Sequence, residues 1–218
     1  MREVALQEGK ETNRVEAFSD GVFSIAITLL ILDVKVPDMH QLANTSLWQE
    51  LLNQWPAYVA LITSFFSILI MWVNHHALFN LIGKIDNRFM FANGLLLFLV
   101  IIVPFPTALL SEYYLTDEAD VACAVYAGSF MLICLSYNLL WWSANDKRRL
   151  LKTSVTDSFR KEVSRKFFLG IPSYLIAVGA AFINVHICLA ICSALWVFWA
   201  FSMRNGKINE HIRNTKQN

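Results

Sequence analysis

Asp20 is a carboxylate in a helix that hydrocarbon should reject. It stands in the run RVEAFSDGVFSIAITLLILDV, from Arg14 to Val34, with Glu16 and Ser19 before it and hydroxyls at Ser24 and Thr28 after it. An ionisable side chain inside a membrane span costs about 2.5–3.5 kcal/mol on insertion scales and marks a functional site by default. It needs partners in a helix bundle or a wet cavity. Candidate partners occur at matching depth. The second apolar run ends in WVNHH, which carries Trp72, His75 and His76, and Asn93 lies early in the third. A network of Asp20 and Ser19 with His75 or His76 and Asn93 would satisfy these groups. Histidine titrates near neutral pH, so a proton relay is one chemistry for them. A metal site is weaker, because adjacent histidines on a helix point about 100° apart and rarely chelate one ion together.

These side chains must be positioned by membrane helices. Of 218 residues, 56% are hydrophobic and only 16% charged, with mean hydropathy +0.46. A soluble domain is about a quarter charged. The expected fold class is all-α: a polytopic membrane protein with six transmembrane helices. A span needs about 20 mainly apolar residues. The runs fall roughly at 16–36, 56–79, 89–110, 121–142, 167–183 and 186–203, within one domain over 1–218. Pro37 should end the first run, and Pro104 and Pro106 should kink the third. A tight turn at Asn184 and His186 should divide the last apolar stretch in two. Residues 1–14 are polar and the first apolar run is too long for a cleaved signal, so that run should stay as the first span.

Charge asymmetry supports this count. With cytoplasmic N- and C-termini, every Lys and Arg except Lys35 lies inside, including the basic loop 145–166 and the tail residues Arg204, Lys207, Arg213 and Lys216. Asp33, Asp38, Glu50, Glu112, Asp117, Glu118 and Asp120 then lie outside. Five spans would put the basic tail outside. The loop reads as an orientation signal near anionic lipid; no motif supports nucleic-acid binding. Trp141 and Trp142 fit an inner interfacial belt, and Trp48 and Trp55 an outer one. Cys123, Cys134, Cys188 and Cys192 lie in apolar runs and read as packing residues, without a disulfide framework or zinc site. No internal repeat, phosphate-binding loop or nucleophile motif is visible. An enzyme is not expected, and no cofactor.

On a wheel at 100° per residue, Ile25, Leu29, Leu32 and Val36 fall within one narrow arc. Thr28 borders it, and Ser24 lies farther round, next to Asp20. Asn13 as N-cap with Glu16 in a capping box would start the helix near Arg14. Arg14 could pair with Glu16 or anchor to phosphate. The plain alternative is that the apolar arc only packs and the hydroxyls bond back to their own helix.

The pattern Arg14-x-x-x-Phe18-Ser19-Asp20, the NHH of the second run and the six-span length resemble the transmembrane-protein-175 family of potassium channels. The resemblance covers the whole chain. A single repeat of this length is similar to the prokaryotic members, which are homotetramers. The resemblance implies a potassium-selective channel in the plasma membrane, moderately selective over sodium. Its central pore would be lined by the first helix and would have a hydrophobic constriction in place of a carbonyl filter. It implies the narrow constriction at Ile25, further apolar layers at Leu29 and Leu32, and selectivity hydroxyls at Thr28 and Ser24. The potassium pathway then passes Ile25 and Thr28, with the polar inner turns holding the pore helices in register. Two alternatives stay open: a proton-conducting channel of the same architecture, and a secondary transporter. The transporter would want inverted repeats and broken helices, and only the third run carries such a break.

Overall fold

A computed structural model of the protein describes residues 2–37 and 46–202. Its described regular structure is helical: α1 (Arg2–Leu29), a 3-10 turn (Leu30–Asp33), α2 (Leu47–Asn53), α3 (Trp55–Phe79), α4 (Asn87–Ile102), α5 (Pro104–Tyr113), α6 (Ala119–Asn145), a 3-10 turn (Asp146–Arg148), α7 (Asp157–Ala181) and α8 (Val185–Ser202). Four stretches are long and apolar enough to cross a membrane: Glu11–Asp33, Trp55–Phe79, Asn87–Tyr113 and Ala119–Arg148. Val185–Phe201 is a shorter apolar helix. The chain is a multi-pass helical membrane protein. Asp38 and the basic tail residues Arg204, Lys207, Arg213 and Lys216, together with the last position of the run 186–203, lie outside the described residues.

Local chemistry sets the boundaries. Ser46 and Gln49 form a reciprocal capping box at α2, a short helix that hydropathy alone does not reveal. Asp86 accepts from the Phe89 N–H at 2.9 Å and starts α4. Pro104 lacks an N–H, and its ring would clash with the carbonyl four residues back. The third apolar run therefore breaks at Val103 into α4 and α5. The Val100 carbonyl, four residues before Pro104, accepts instead from the Val103 N–H at 3.2 Å, and the Val103 carbonyl accepts both the Thr107 N–H at 3.2 Å and Thr107 Oγ1 at 2.8 Å.

Two helix starts differ from expectation, and the first run ends early, its α-helix at Leu29 and its 3-10 turn at Asp33, short of Val36 and Pro37. α1 begins at Arg2, so Asn13 is inside the helix and caps nothing. Residues 2–12 supply good helix formers, Glu, Ala, Leu, Gln and Lys among them, and helix once nucleated propagates through a single Asn. α7 begins at Asp157, inside the stretch expected as the loop 145–166, because the Thr156 side chain accepts from the Phe159 N–H. Its first turns are charged and its later turns apolar.

α6 is the hub. Its buried residues include Tyr126, Phe130, Ile133, Leu140 and Trp141, and it packs against α4, α5, α7 and α8. Hydrocarbon offers no hydrogen bonds, so polar side chains in the bundle pair with each other. Ser64 of α3 meets Thr107 of α5 at 2.7 Å and Tyr126 of α6 at 3.2 Å. Tyr137 donates to the Met71 carbonyl at 2.6 Å, and Trp141 Nε1 donates to Ser164 at 2.7 Å. The four cysteines are free thiols buried in this packing.

The two ends of the bundle are tied differently. At the basic end, the α3–α4 and α6–α7 connections form a bridge: Gly83 N–H donates to the Leu150 carbonyl at 2.8 Å, and Lys152 N–H to the Leu81 carbonyl at 2.9 Å. Arg149 pairs with Asp86 across it. At the other end, Lys35 pairs with Glu112 at 2.7 Å, and Tyr114 bonds His186 Nδ1 at 2.7 Å.

Gly170 marks the tightest helix approach. A Cβ there would lie 2.6 Å from Cys134 Sγ and 2.7 Å from the Trp199 ring. Gly170→Ala should destabilise by about 1–3 kcal/mol through overpacking. The expected readout is a lowered melting temperature in detergent, partly restored when Cys134→Ala is added. An unchanged melting temperature for Gly170→Ala would refute the close approach.

Candidate functional site

α1 has two faces of opposite character. Ser19, Phe23, Ala26 and Leu30 are buried, each at 1% exposure or less. They recur at helical spacing and pack α1 onto α3 and α4. The opposite face carries Phe18, Ile25, Leu29 and Leu32, of which Ile25 is 58% and Leu32 71% exposed. Ser24 and Thr28 are exposed beside them. The apolar arc expected from the wheel is thus not the face that packs within the protomer.

The hydroxyls are bonded back to their own helix. Ser24 Oγ donates to the Asp20 carbonyl and Thr28 Oγ1 to the Ile25 carbonyl, each at 2.8 Å. That geometry uses up each proton and leaves oxygen lone pairs facing outward, so at these sites a hydroxyl can act only as an acceptor.

The polar inner turns divide into two sets. On the buried side, Ser19 Oγ donates to the Val15 carbonyl at 2.8 Å. It must therefore accept from Asn93 Nδ2, which lies 3.0 Å away. That fixes the Asn93 amide with its Oδ1 toward His75 Nε2 at 2.8 Å, so Nε2 carries the ring proton. The His75 ring lies 4.4 Å from the Phe79 ring and 5.3 Å from the Phe23 ring, centroid to centroid. Its Nδ1 is buried without a hydrogen-bond partner among the described residues. On the more open side, Trp72 Nε1 donates to Asp20 Oδ1 at 2.8 Å. His76 Nδ1 lies 2.7 Å from Glu16 Oε1, and the Trp72 and His76 rings are 6.3 Å apart.

Each residue of the expected network is close to another, but the pairing is finer than expected. Asp20 takes Trp72 and not a histidine. Glu16 holds His76 and not Arg14, which is exposed and has no ion-pair partner among the described residues. The spacing carried a signal for both pairs. Glu16 and Asp20 are four apart on α1, as are Trp72 and His76 on α3, so each helix presents two matched groups on one face. Phe79 is also four residues after His75 on α3, so the same spacing brings those two rings together. The described residues contain no cluster of His, Cys, Asp or Glu able to hold a metal ion.

Residues 14–104 match a family described as "Endosomal/lysosomal potassium channel TMEM175". A potassium channel of Chamaesiphon minutus is 45% identical over 197 residues, covering 90% of this chain and 97% of that one. A potassium channel of Streptomyces collinus is 42% identical over 193 residues, covering 88% and 93%. The fold matches the crystal structure described as a lysosomal potassium-selective channel TMEM175 homolog from Chamaesiphon minutus, with TM-score 0.82 and 44% identity over 89% of this chain and 99% of that one. With near-complete coverage at this identity, the chain belongs to the TMEM175 family.

Proposed function

We propose that the protein is a potassium channel of the plasma membrane, a homotetramer whose four α1 helices line a pore on the symmetry axis. The observation that carries this reading is the exposed face of α1. A helix already anchored by Ser19, Phe23, Ala26 and Leu30 leaves Ile25, Leu29 and Leu32 uncovered in the protomer, in line with the hydroxyls of Ser24 and Thr28. Two relatives covering most of the chain are named potassium channels.

In this reading Ile25 forms the narrow constriction, with Leu29 and Leu32 as further apolar layers. A ring of apolar side chains expels water when narrow and so blocks ions without a plug. Opening must widen it enough for a cation that keeps part of its hydration shell. Thr28, and next to it Ser24, offer oxygen lone pairs to that cation, a weaker discrimination than a ring of carbonyls provides. Asp20, held by Trp72, adds negative potential at the inner mouth. Arg14 is free to meet lipid phosphate, and Phe18 packs outward. The hydrogen bonds of Trp72, His75 and Asn93, with the contact of His76 to Glu16, keep α1 from rotating, which holds Ile25 on the axis. The termini are cytoplasmic by the excess of Lys and Arg at that end. A proton relay is less favoured, because the Nε2 proton of His75 is committed to Asn93.

Ion flux from purified protein in liposomes under a potassium gradient tests the reading. Ile25→Asn should raise potassium flux several-fold, because a polar ring stays wet. Flux in neither protein, both correctly folded, would refute the channel. Flux unchanged by Ile25→Asn would keep the channel and remove this pore face. Thr28→Ala should lower the potassium-to-sodium permeability ratio while leaving flux intact, as read from bi-ionic reversal potentials; an unmoved ratio would place selectivity elsewhere.

A further inference from the structure

A second feature lies away from α1. Between the basic end of α4 and the end of α6 there is a groove of about 400 Å³, within the range of ligand pockets, roughly 300–1,000 Å³. Its walls are apolar: Phe91 and Leu95 from α4 face Leu139 and Trp142 from α6. Phe91 is 81% and Trp142 62% exposed. Its lining is charged toward the loop bridge, with Arg88, Asp146 and Arg149. We propose that this groove binds a phospholipid whose headgroup joins a phosphate to a primary ammonium, an ethanolamine phosphatide of the adjoining leaflet.

Both walls belong to helices long and apolar enough to span a bilayer, so the aromatic and leucine side chains stand in hydrocarbon. The charged end coincides with the loop bridge, at headgroup depth. A ligand filling the whole groove must be apolar along one part and ionic at one end, in the same order as a lipid. A tryptophan where the two zones meet is the usual interfacial residue.

The charges then choose the headgroup. Arg88 is exposed and has no ion-pair partner among the described residues. Arg149 is held by Asp86, which fixes its guanidinium and leaves further N–H donors for a phosphate oxygen. Asp146 also lines the groove and has no ion-pair partner among the described residues. One unpaired cation and one unpaired anion at the same end complement a zwitterion. A purely anionic headgroup would leave Asp146 opposed by like charge. A choline headgroup offers no N–H to a carboxylate. The site rests only on these helices crossing a bilayer, not on the channel reading.

The test uses the full chain, purified in detergent and given an equimolar mixture of phosphatidylethanolamine, phosphatidylglycerol and phosphatidylcholine with matched tails. Retained lipid is counted by mass spectrometry of the intact assembly. The wild type should retain phosphatidylethanolamine in preference to both others. Arg88→Gln should lower that retention about fivefold, the weight of one basic contact at a lipid surface. Asp146→Asn should erase the preference over phosphatidylglycerol while keeping binding. Lys161→Gln, an equal loss of charge on exposed α7 surface, should change nothing. Equal retention by wild type and Arg88→Gln would overturn the proposal, as would a wild-type preference for phosphatidylglycerol. Competition by tail-less glycerophosphoethanolamine as strong as by the lipid would mean a free-headgroup site and would also overturn it. Should Arg88→Gln fail to fold, judged by size exclusion, the Asp146→Asn preference decides. Flux measurements on the same preparations separate failure of this site from failure of the channel.

Discussion

Hydrocarbon cannot hydrogen-bond, and that constraint governs this molecule more than any single contact. Every polar side chain among the spanning helices must find a partner in the bundle or stand where water can reach it. The first option accounts for the crosslinks through the hub helix: Ser64 with Thr107 and Tyr126, Tyr137 on the Met71 carbonyl, and Trp141 on Ser164. Each joins two helices, and Asn138 adds a second link from α6 to α7 through the Phe167 carbonyl at 3.0 Å. Thr107 also donates to the Val103 carbonyl beside the Pro104 break, while the Val100 carbonyl that Pro104 cannot serve takes the Val103 N–H. The polar groups of the bundle are thus its joints, placed where a bend or a loop would otherwise leave an orphan.

α1 obeys the same constraint with two solutions on one helix. Ser19 is locked into a relay with Asn93 and His75, while Asp20, one residue on, is held at its more open side by Trp72. The rotation of 100° between neighbours sends one group into the bundle and the other toward its surface. The same rotation separates Ala26, fully buried, from Ile25, largely exposed. Anchoring one face therefore determines the direction of the other. That is how a polar network partway along a helix can set the aim of apolar side chains one to three turns away. The groove between α4 and α6 follows the same logic, with charge at the end and apolar walls above.

Much of this was legible in the sequence because hydropathy and charge act over whole segments. The long apolar runs, the break at the two prolines and the turn near Asn184 follow from composition and from residues with fixed backbone chemistry. The start of α1 did not follow. Asn13 with Glu16 satisfies the local rule for a helix beginning, yet the helix-forming stretch before it continues through. The beginning of α7 inside the basic loop was missed because a single capping threonine decides it, while charge density points to loop. α2 was missed because seven residues are too few for periodicity to register.

The sequence by itself determined the class of protein, the four stretches long and apolar enough to cross a membrane, and the set of side chains able to form a polar cluster at one end. These depend on local composition and on spacing along one helix, which the chain carries directly. Only the tertiary structure decided the pairing within that cluster: Asp20 to Trp72, Glu16 to His76, and His75 through Asn93 to Ser19. It also decided which face of α1 is buried. Several donors and acceptors at equal depth satisfy one another in more than one combination. The choice among them is made by the rotation and separation of whole helices, fixed by packing around α6 and Gly170, and no local stretch of sequence encodes that packing.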